Sequence, residues 1–438
     1  MALLTRRRFL HRAAGLAAVA AAPNIVPATA LGLGGRPAPS ERLVLGAIGM
    51  GGMGRHDLGN FLGEADVQVV AVCDVDASRL KFAKETVDKH YGNADCAATG
   101  DWREVVARDD LDAVLVATPD HWHAYIAIAA AQTGKHLYCE KPISLTVSEG
   151  RIVAKAMNRF GVTYQSGTQR RSIDCFRFAV EMAQTGKVGR LHTIHVYLAP
   201  GRSIEPQPVE PVPPGFDYDM WLGQAPNAPY TAKRCHASFR WIYDYSGGQL
   251  TDIGAHFIDL AQWGNGSEYT GPVTFEGRAE FPKEGLYNTP VNYHVTAGYA
   301  NGIKLEYHDT EPRAVKFEGD EGWVSVNDDG VVDAEPKSIL GERVVDRQPW
   351  SHNRPHIRNF IDCVRSGAQP VAPPEVAHRS TTICHLGNLC LRLGRPLKWN
   401  PILERIEDDD EAQAMLSRPM RAPWDLNSWD GTSNLLVT

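Results

Sequence analysis

The chain has 438 residues, enough for two domains, and a hydrophobic content of 43% that supplies an ordinary globular core. A formal net charge of −7, without a basic stripe, argues against nucleic acid as the main partner. The eight cysteines are scattered and form no C-x-x-C pair, so neither a zinc ribbon nor a thioredoxin-like site is expected.

The N-terminal segment has the pattern of an export signal. Residues 5–10 read Thr-Arg-Arg-Arg-Phe-Leu, which is typical of a twin-arginine signature, and the apolar stretch at 13–22 is too short to span a bilayer of ~30 Å. We therefore expect a signal peptide at 1–30, a Gly/Pro-rich linker at 31–41, a periplasmic or otherwise exported protein, and no stable membrane span. A membrane anchor or a disordered basic tail is the alternative.

Residues 42–167 are predicted to form a doubly wound Rossmann domain. Near-continuous apolar runs alternate with helical stretches, which favours a parallel sheet covered on both faces. The strand candidates are 43–48, 67–73, 113–118, 136–139 and 163–166.

A glycine-rich turn follows the first predicted strand and opens a helix. In it, Gly49 permits the tight turn, Gly51 lets the backbone approach a pyrophosphate, and Gly54 lets the helix pack on the strand. Asp74 ends the second strand, 20 residues after Gly54, where a carboxylate accepts from the adenosine ribose. This carboxylate would repel a 2′-phosphate, so NAD is preferred over NADP, although Arg79 could weaken that preference.

Two further loops follow later strands. Thr118 and Pro119 come after the third apolar run, and Glu140, Lys141 and Pro142 come after the fourth. Because ligands of open α/β sheets bind at the carboxyl ends of the strands, both loops should face the cofactor. Pro142 is expected to fix the backbone at the domain junction, and the sequence leaves the isomer of its peptide bond open.

His121 and His123 have a spacing that also occurs in metal sites. No carboxylate or cysteine at matching spacing accompanies them, so no metal is predicted. The preferred interpretation is that His123 begins the helix at 124–133 and supports the loop.

Residues 168–398 are predicted to form a substrate and oligomerisation domain, followed by a tail at 399–438. Helices are expected at 174–184, 355–364 and 378–393, the last two returning toward the Rossmann domain. Residues 200–240, rich in proline, glycine and aromatics, are interpreted as a lid or substrate wall. Alternating runs predict strands at 191–198, 273–281, 292–299, 303–308, 314–318 and 323–327.

Asp252 and His256 are four residues apart in a stretch with helical spacing, so both can face one cleft. The imidazole can take a hydroxyl proton, and Asp252 can orient it or contact the substrate. Lys141 can polarise the reacting oxygen or act as the proton acceptor itself. The sequence does not decide between His256 and Lys141 as the base.

Aromatic residues precede this helix. Trp241 and Tyr245 could stack on a sugar, and Arg240, which directly precedes Trp241, could bind its hydroxyls. An equally weighted alternative is that these rings are ordinary core and loop aromatics.

The order of these motifs resembles that of the glucose–fructose oxidoreductase / inositol dehydrogenase / rhizopine catabolism protein (Gfo/Idh/MocA) family. The resemblance covers nearly the whole mature chain. It implies a C-terminal α/β domain with an open, largely antiparallel sheet, and a dimer or tetramer formed through the open face. It also implies that Lys141 and His256 are catalytic with Asp252 beside them, and that Gln169 and Arg170 contact the cofactor.

Three functions are compatible with these features. The preferred one is hydride transfer between a carbohydrate hydroxyl carbon and a retained nicotinamide cofactor. The alternative is an NAD-dependent glycosidase or lyase that oxidises, eliminates and reduces again, without net redox change. A non-catalytic nucleotide sensor is a third class, and the intact Lys141, Asp252 and His256 argue against it.

Overall fold

The computed structural model describes residues 37–341, 345–429 and 431–437. The predicted signal peptide and residues 31–36 of the predicted linker lie outside the described residues. The chain divides into two compact units, 1–42 and 43–438. In the described part of the first, Pro39–Glu41 form a 3₁₀ turn and Arg42 Nε donates to the carbonyl of Pro37 at 2.9 Å.

The first sheet is parallel and has six strands. These are β1 (Leu43–Ile48), β2 (Val67–Cys73), β3 (Ala97–Thr99), β4 (Ala113–Val116), β5 (His136–Cys139) and β6 (Tyr164–Ser166). They are ordered β3-β2-β1-β4-β5-β6, and every pair is parallel. The doubly wound fold predicted from the apolar runs is therefore confirmed. Strand β3 escaped prediction because its three residues are exposed or half-buried and make no apolar run.

Helices cover both faces of this sheet. They are α1 (Gly52–Leu62), α2 (Ala77–Tyr91), α3 (Trp102–Val106), α4 (Asp120–Gln132) and α5 (Val147–Phe160). Alternate residues of β4 are buried in two different cores. Val114 and Val116 lie in one core, and Ala113 and Leu115 lie in the other. Burial on both faces explains why the strands read as continuous apolar runs.

The start of α4 differs from the predicted one. The helix begins at Asp120, so His123 lies inside its first turn rather than at its start. Pro119 occupies the N-cap position with extended backbone, and Asp120 places a carboxylate in the first turn, where the helix dipole favours negative charge. The residues that were expected to form a loop here therefore form the N-terminus of α4.

The second sheet is mixed and has nine strands. These are β7 (Leu191–Tyr197), β8 (Thr274–Glu280), β9 (Asn292–Gly298), β10 (Lys304–His308), β11 (Ala314–Gly319), β12 (Gly322–Asn327), β13 (Val332–Glu335), β14 (Leu397–Asn400) and β15 (Arg405–Glu407). Their order is β13-β12-β11-β7-β10-β9-β8-β14-β15, and among the pairs only β7–β10 is parallel. The expected open, largely antiparallel sheet is confirmed, and β14 and β15 extend it past residue 398.

One face of the second sheet packs on helices and the other is polar. The remaining helices are α6 (Asp174–Gln184), α7 (Tyr218–Leu222), α8 (Gln249–Asp252), α9 (Gly254–Gly264), α10 (Arg354–Ser366), α11 (Pro374–Leu393) and α12 (Asp410–Ala414). On β7, Ile194 and Val196 are fully buried in the core, whereas His195 and Tyr197 alternate onto the outer face.

Helix α10 returns to the first sheet, where Ile357 and Phe360 join the core formed by α1. Helix α11 also returns to the Rossmann domain: Ala377 lies in a core of the first sheet and Glu375 pairs with Arg151 of α5, whereas its C-terminal half lies in the core of the second sheet. All eight cysteines are buried and free. No helix in the described ranges is both long and apolar enough to cross a bilayer.

Candidate active site

A cleft of about 420 Å³ lies at the carboxyl ends of β1, β2, β4 and β5. Its other walls come from the segment between α7 and α9 and from residues next to β11 and β12. The cleft therefore lies where open α/β sheets bind their ligands.

The glycine-rich turn is shaped by close backbone contacts. Gly49 has a φ of +87°, and a Cβ there would lie 2.7 Å from the carbonyl of Ala117. A Cβ on Gly54 would lie 1.9 Å from the Gly49 oxygen, so the helix can approach the strand only without a side chain. Gly51, the N-cap of α1, has no side chain that could cap the helix. The first N–H groups of α1 therefore have no side-chain cap from this position, and the turn fits a pyrophosphate.

Asp74 lies beside this turn and lines the cleft. Its carboxylate accepts from the N–H of Met50 at 2.7 Å and from the N–H of Asp76 at 2.9 Å. Burial raises the pKa of Asp74 from its ordinary value, against the effect of these two N–H groups and of Arg79. Arg79, which could weaken the preference for NAD, lines the same end of the cleft.

Thr118, Pro119 and His123 line the cleft, and the imidazole ties two loops together. One ring nitrogen of His123 lies 2.7 Å from the carbonyl oxygen of Pro142 and the other 2.8 Å from that of Thr118. Burial lowers the pKa of His123 to about 4, although both carbonyls favour the protonated ring. The Lys141–Pro142 bond is cis. His123 thus supports the loops through carbonyl contacts.

Glu140 is buried behind the catalytic lysine candidate. Its carboxylate accepts from Gln169 Nε2 at 2.6 Å and from the backbone N–H of Lys141 at 3.3 Å. Burial raises the pKa of Glu140 and that of Asp57, whose carboxylate accepts from Asn353 Nδ2 at 2.8 Å. The two acids repel each other, so a shared proton is favoured. Sequence reasoning missed Asp57, because nothing local marks it among the helix residues.

Lys141, Asp252 and Arg240 form an ionic network at the opposite end of the cleft. Lys141 Nζ donates to Asp252 Oδ1 at 2.5 Å and to the Asp252 carbonyl at 2.9 Å. Arg240 Nε lies 3.1 Å from Asp252 Oδ2. Burial alone would raise the pKa of Asp252, but the charges of Arg240 and Lys141 outweigh it and hold the pKa well below its usual range. An ionised Asp252 therefore joins two cations.

His256 reaches the same end of the cleft from the first turn of α9. The helical stretch is divided at Ile253, yet the backbone continues to turn, since the N–H of His256 donates to the Ile253 carbonyl at 3.1 Å. Nδ1 of His256 is buried and has no hydrogen-bond partner among the described residues. Burial lowers the pKa of His256 well below 6.5, and Arg170 and Lys141 lower it further. Asp252 is engaged by the two cations rather than by this imidazole.

A second ionic group lines this end. The Arg170 guanidinium pairs with Asp328, and Arg313 Nη1 lies 3.8 Å from the same carboxylate. Two cations thus share one anion, and the buried Nη1 of Arg170 has no hydrogen-bond partner within the described chain. Arg313 and Asp328 were not predicted, because the segments that carry them meet Arg170 only in the folded chain.

Trp241 and Tyr245 do not line the cleft, which corrects the predicted placement of a sugar-stacking site. His236–Trp241 form a 3₁₀ helix, whose turn of three residues directs Phe239 and Arg240 to the cleft and Trp241 to the aromatic cluster behind it. Tyr245 is fully buried in that cluster, with its ring centroid 4.8 Å from that of Trp221. The aromatic rings at the cleft surface are those of Trp102, Trp122, Phe216, Trp221, Phe239 and Trp350.

Two protein-family comparisons match most of the chain. Residues 43–168 match the family described as oxidoreductase family, NAD-binding Rossmann fold. Residues 199–426 match the family described as oxidoreductase family, C-terminal alpha/beta domain. Together with the geometry of the glycine turn, this identifies the first sheet and its helices as an NAD-binding domain.

Curated relatives include enzymes of two kinds. The myo-inositol 2-dehydrogenase of Thermotoga maritima is 26% identical over 226 residues, which are 51% of this chain and 55% of that protein. The alpha-N-acetylgalactosaminidase of Shewanella oneidensis is 32% identical over 159 residues, 33% of this chain and 35% of that protein. For such relatives the aligned part is between 35% and 65% of their length.

Among solved structures, the WlbA dehydrogenase of Bordetella pertussis, in complex with NADH and UDP-GlcNAcA, has a TM-score of 0.61. The superposition covers 82% of this chain and 99% of that one at 18% sequence identity. At this identity the similarity establishes a shared fold.

Proposed function

The chain belongs to the Gfo/Idh/MocA oxidoreductase family, and from that premise we propose that it transfers a hydride between a sugar or polyol hydroxyl carbon and a nicotinamide cofactor. One observation carries the proposal: the Lys141–Asp252–Arg240 network and His256 line the same cleft as the glycine turn. When bound, the nicotinamide supplies the hydride acceptor or donor.

The residues of the network have complementary roles in this proposal. The Lys141 ammonium, held by Asp252, donates to the substrate oxygen and stabilises negative charge that develops there. His256 lines the cleft and is neutral at pH 7, so its imidazole can accept the hydroxyl proton, or return it in the reverse direction. These features favour His256 as the base and Lys141 as the electrophile.

A panel of sugars and polyols tests the proposal. NAD-loaded protein mixed with each compound should show nucleotide reduction at 340 nm for at least one of them. His256→Ala should slow that reaction by about 100-fold or more, whereas Lys187→Ala, which changes an exposed lysine outside the cleft, should not. An unchanged rate in His256→Ala, or no reduction across a broad panel, would contradict the proposal.

The proposed cofactor is NAD, retained rather than exchanged. Asp74 beside the turn supports NAD over NADP, because a carboxylate repels a 2′-phosphate. Protein purified without added nucleotide and then denatured should release NAD(H) in a one-to-one ratio, identified by mass spectrometry. Release of NADP would show that Asp74 does not select the cofactor, and no release would argue against retention.

An NAD-dependent glycosidase or lyase is the second candidate. The Shewanella relative supports it, and so does Asp120, which is buried in the cleft and accepts from Ser246 Oγ at 2.5 Å. Burial raises the pKa of Asp120 to about 7, which suits a general acid. This function predicts release of nitrophenol from nitrophenyl glycosides that requires NAD but accumulates no NADH, and Asp120→Asn should suppress it.

Export through the twin-arginine route is also a proposal, supported by residues 5–10 of the sequence. Replacing Arg6 and Arg7 together by lysine should keep the protein in the cytoplasm during cell fractionation. Equal export of both forms would contradict it.

We further propose a homo-oligomer, a dimer or tetramer, formed through the polar outer face of the second sheet. Light scattering coupled to size-exclusion chromatography should give a mass two or four times that of the chain. A monomer at micromolar concentration would contradict this.

A further inference from the structure

The outer face of the second sheet carries three histidines next to two glutamates, away from the cleft. His195 lies on β7, Glu306 and His308 on β10, and His294 on β9. The register places Glu306 opposite His195 and His308 opposite His294, so regular strand pairing, not a loop, brings these groups together. Groups held on paired strands are well ordered in position.

The distances around Glu306 suit a shared metal ion better than hydrogen bonds. Its Oε2 lies 3.4 Å from His195 Nδ1 and 3.6 Å from His308 Nε2, and one ligand atom from each of the three residues lies within 4.8 Å of the others. Hydrogen bonds from nitrogen to a carboxylate are typically about 2.7–2.9 Å. Metal–ligand bonds of about 2.0–2.1 Å in tetrahedral geometry place neighbouring ligand atoms about 3.3–3.4 Å apart.

The surroundings complete the pattern of a metal-bound imidazole. The other nitrogen of His195, Nε2, lies 3.3 Å from the Glu318 carboxylate, as in carboxylate–histidine–metal arrangements. Lys316, opposite His195 on β11, donates to Glu318 at 2.9 Å and so neutralises that carboxylate. Within the described chain, no lysine or arginine lies within 4 Å of the Glu306 carboxylate, whose partners there are the two imidazoles, so its charge is left for a cation.

We propose that His195, Glu306 and His308 bind a divalent transition-metal ion such as Zn²⁺ on the outer face of the second sheet. Two imidazoles and one carboxylate are a ligand set that zinc and its neighbours accept, and a fourth position remains for water. The Glu318 carboxylate orients His195, and the His294 ring, with its centroid 4.4 Å from that of His308, covers one side. The ion would tie β7 to β10, the one parallel pair of the sheet.

Zinc binding to the untagged full chain tests this site. After treatment with a chelator and desalting, the protein is titrated with Zn²⁺ against a chromophoric chelator at pH 7.5. We expect one Zn²⁺ per chain with a Kd of about 1 µM or lower. His195→Ala and Glu306→Gln should each weaken binding by about 100-fold or more, and Glu318→Gln by about 10-fold.

His192→Ala is the matched control, because His192 is an exposed histidine on the same strand outside the cluster. It should bind Zn²⁺ like the wild type, and circular dichroism and NAD affinity should be unchanged in every variant. Zn²⁺ should also raise the thermal midpoint of the wild type and of His192→Ala, but not that of Glu306→Gln. Absence of stoichiometric binding, or equal binding in the wild type, His195→Ala and Glu306→Gln, would overturn the proposal.

Discussion

The two ends of the cleft are formed by different kinds of chemical groups. The nucleotide end is mainly backbone: the turn from Gly49 to Gly54, tight against Ala117, with Asp74 as its main side chain. The substrate end is made of charged side chains from separate segments, in which Asp252 joins two cations and Asp328 joins two more. The nucleotide end is therefore sensitive to added atoms, and the substrate end to removed charges.

Acid should destabilise the whole fold, and with it both ends of the cleft, and this is the largest expected effect. Burial lowers the pKa of His121, His123 and His356 to about 4, so these histidines stay neutral when folded. Unfolded histidines protonate near pH 6.5, so between pH 6.5 and 4 the unfolded state binds more protons and stability falls as the pH falls. Each histidine contributes up to about 1.4 kcal/mol per pH unit. The buried acids Asp120 and Glu140, whose pKa values are raised to about 7, act in the opposite sense and reduce the net slope. Urea unfolding at pH 7.5, 6.0 and 5.0 measures the slope; a free energy independent of pH would contradict it.

Asp252→Asn should break the substrate end alone. Removing this carboxylate leaves Lys141 and Arg240 as partly buried cations without their anion, which should lower the free energy of unfolding by about 3 kcal/mol. Glu85→Gln is the control, since its pair with Lys81 is highly exposed and should be worth less than about 1 kcal/mol. Urea unfolding compares the two; equal stability of Asp252→Asn and wild type would show that the network is not needed for the fold.

Gly54→Ala should break the nucleotide end. The new Cβ would lie 1.9 Å from the Gly49 oxygen, so α1 must move away from the turn. We expect NAD affinity to fall by about 100-fold, or about 2.7 kcal/mol. Gly59→Ala, in the same helix with nothing within 4 Å of the added Cβ, should bind NAD normally. Fluorescence titration with NADH distinguishes them; similar affinities in both variants would mean that the turn does not depend on this contact.

Asp74→Asn should have a smaller effect, confined to the ribose. We expect NAD affinity to fall by about tenfold while NADP affinity rises, since the repulsion of a 2′-phosphate is removed and Arg79 remains nearby. The ratio of the two affinities, measured by titration, serves as its own control. An unchanged ratio would indicate that Asp74 shapes the turn through Met50 without selecting the cofactor.

The contrast between a nucleotide end formed by one local segment and a substrate end formed by separate segments explains which features could be predicted from the sequence. The glycine turn, Asp74 and the strand ends follow from local spacing, because one strand–turn–helix unit determines them. Lys141, Asp252 and His256 followed from residue types and from resemblance to a family. Their partners did not: Arg240 pairs with Asp252, and Arg170 with Asp328, only after distant segments come together.

The local backbone conformation also made the predicted sugar-stacking site wrong. The aromatic residues before Asp252 looked like a sugar site, but a 3₁₀ turn directs Trp241 away from the cleft and Arg240 into it. Short edge strands such as β13 and β15 were missed because three or four residues give too little alternation to recognise.

Lys141→Ala tests the division of the cleft most directly. NAD affinity and hydride transfer to NAD are measured on the same preparation, with the sugar that the wild type oxidises fastest. The two-ended cleft predicts NAD affinity within about threefold of the wild type and turnover at saturating NAD lowered by about 100-fold or more. Normal turnover, or a loss of NAD affinity that accounts for all of the lost activity, would contradict it.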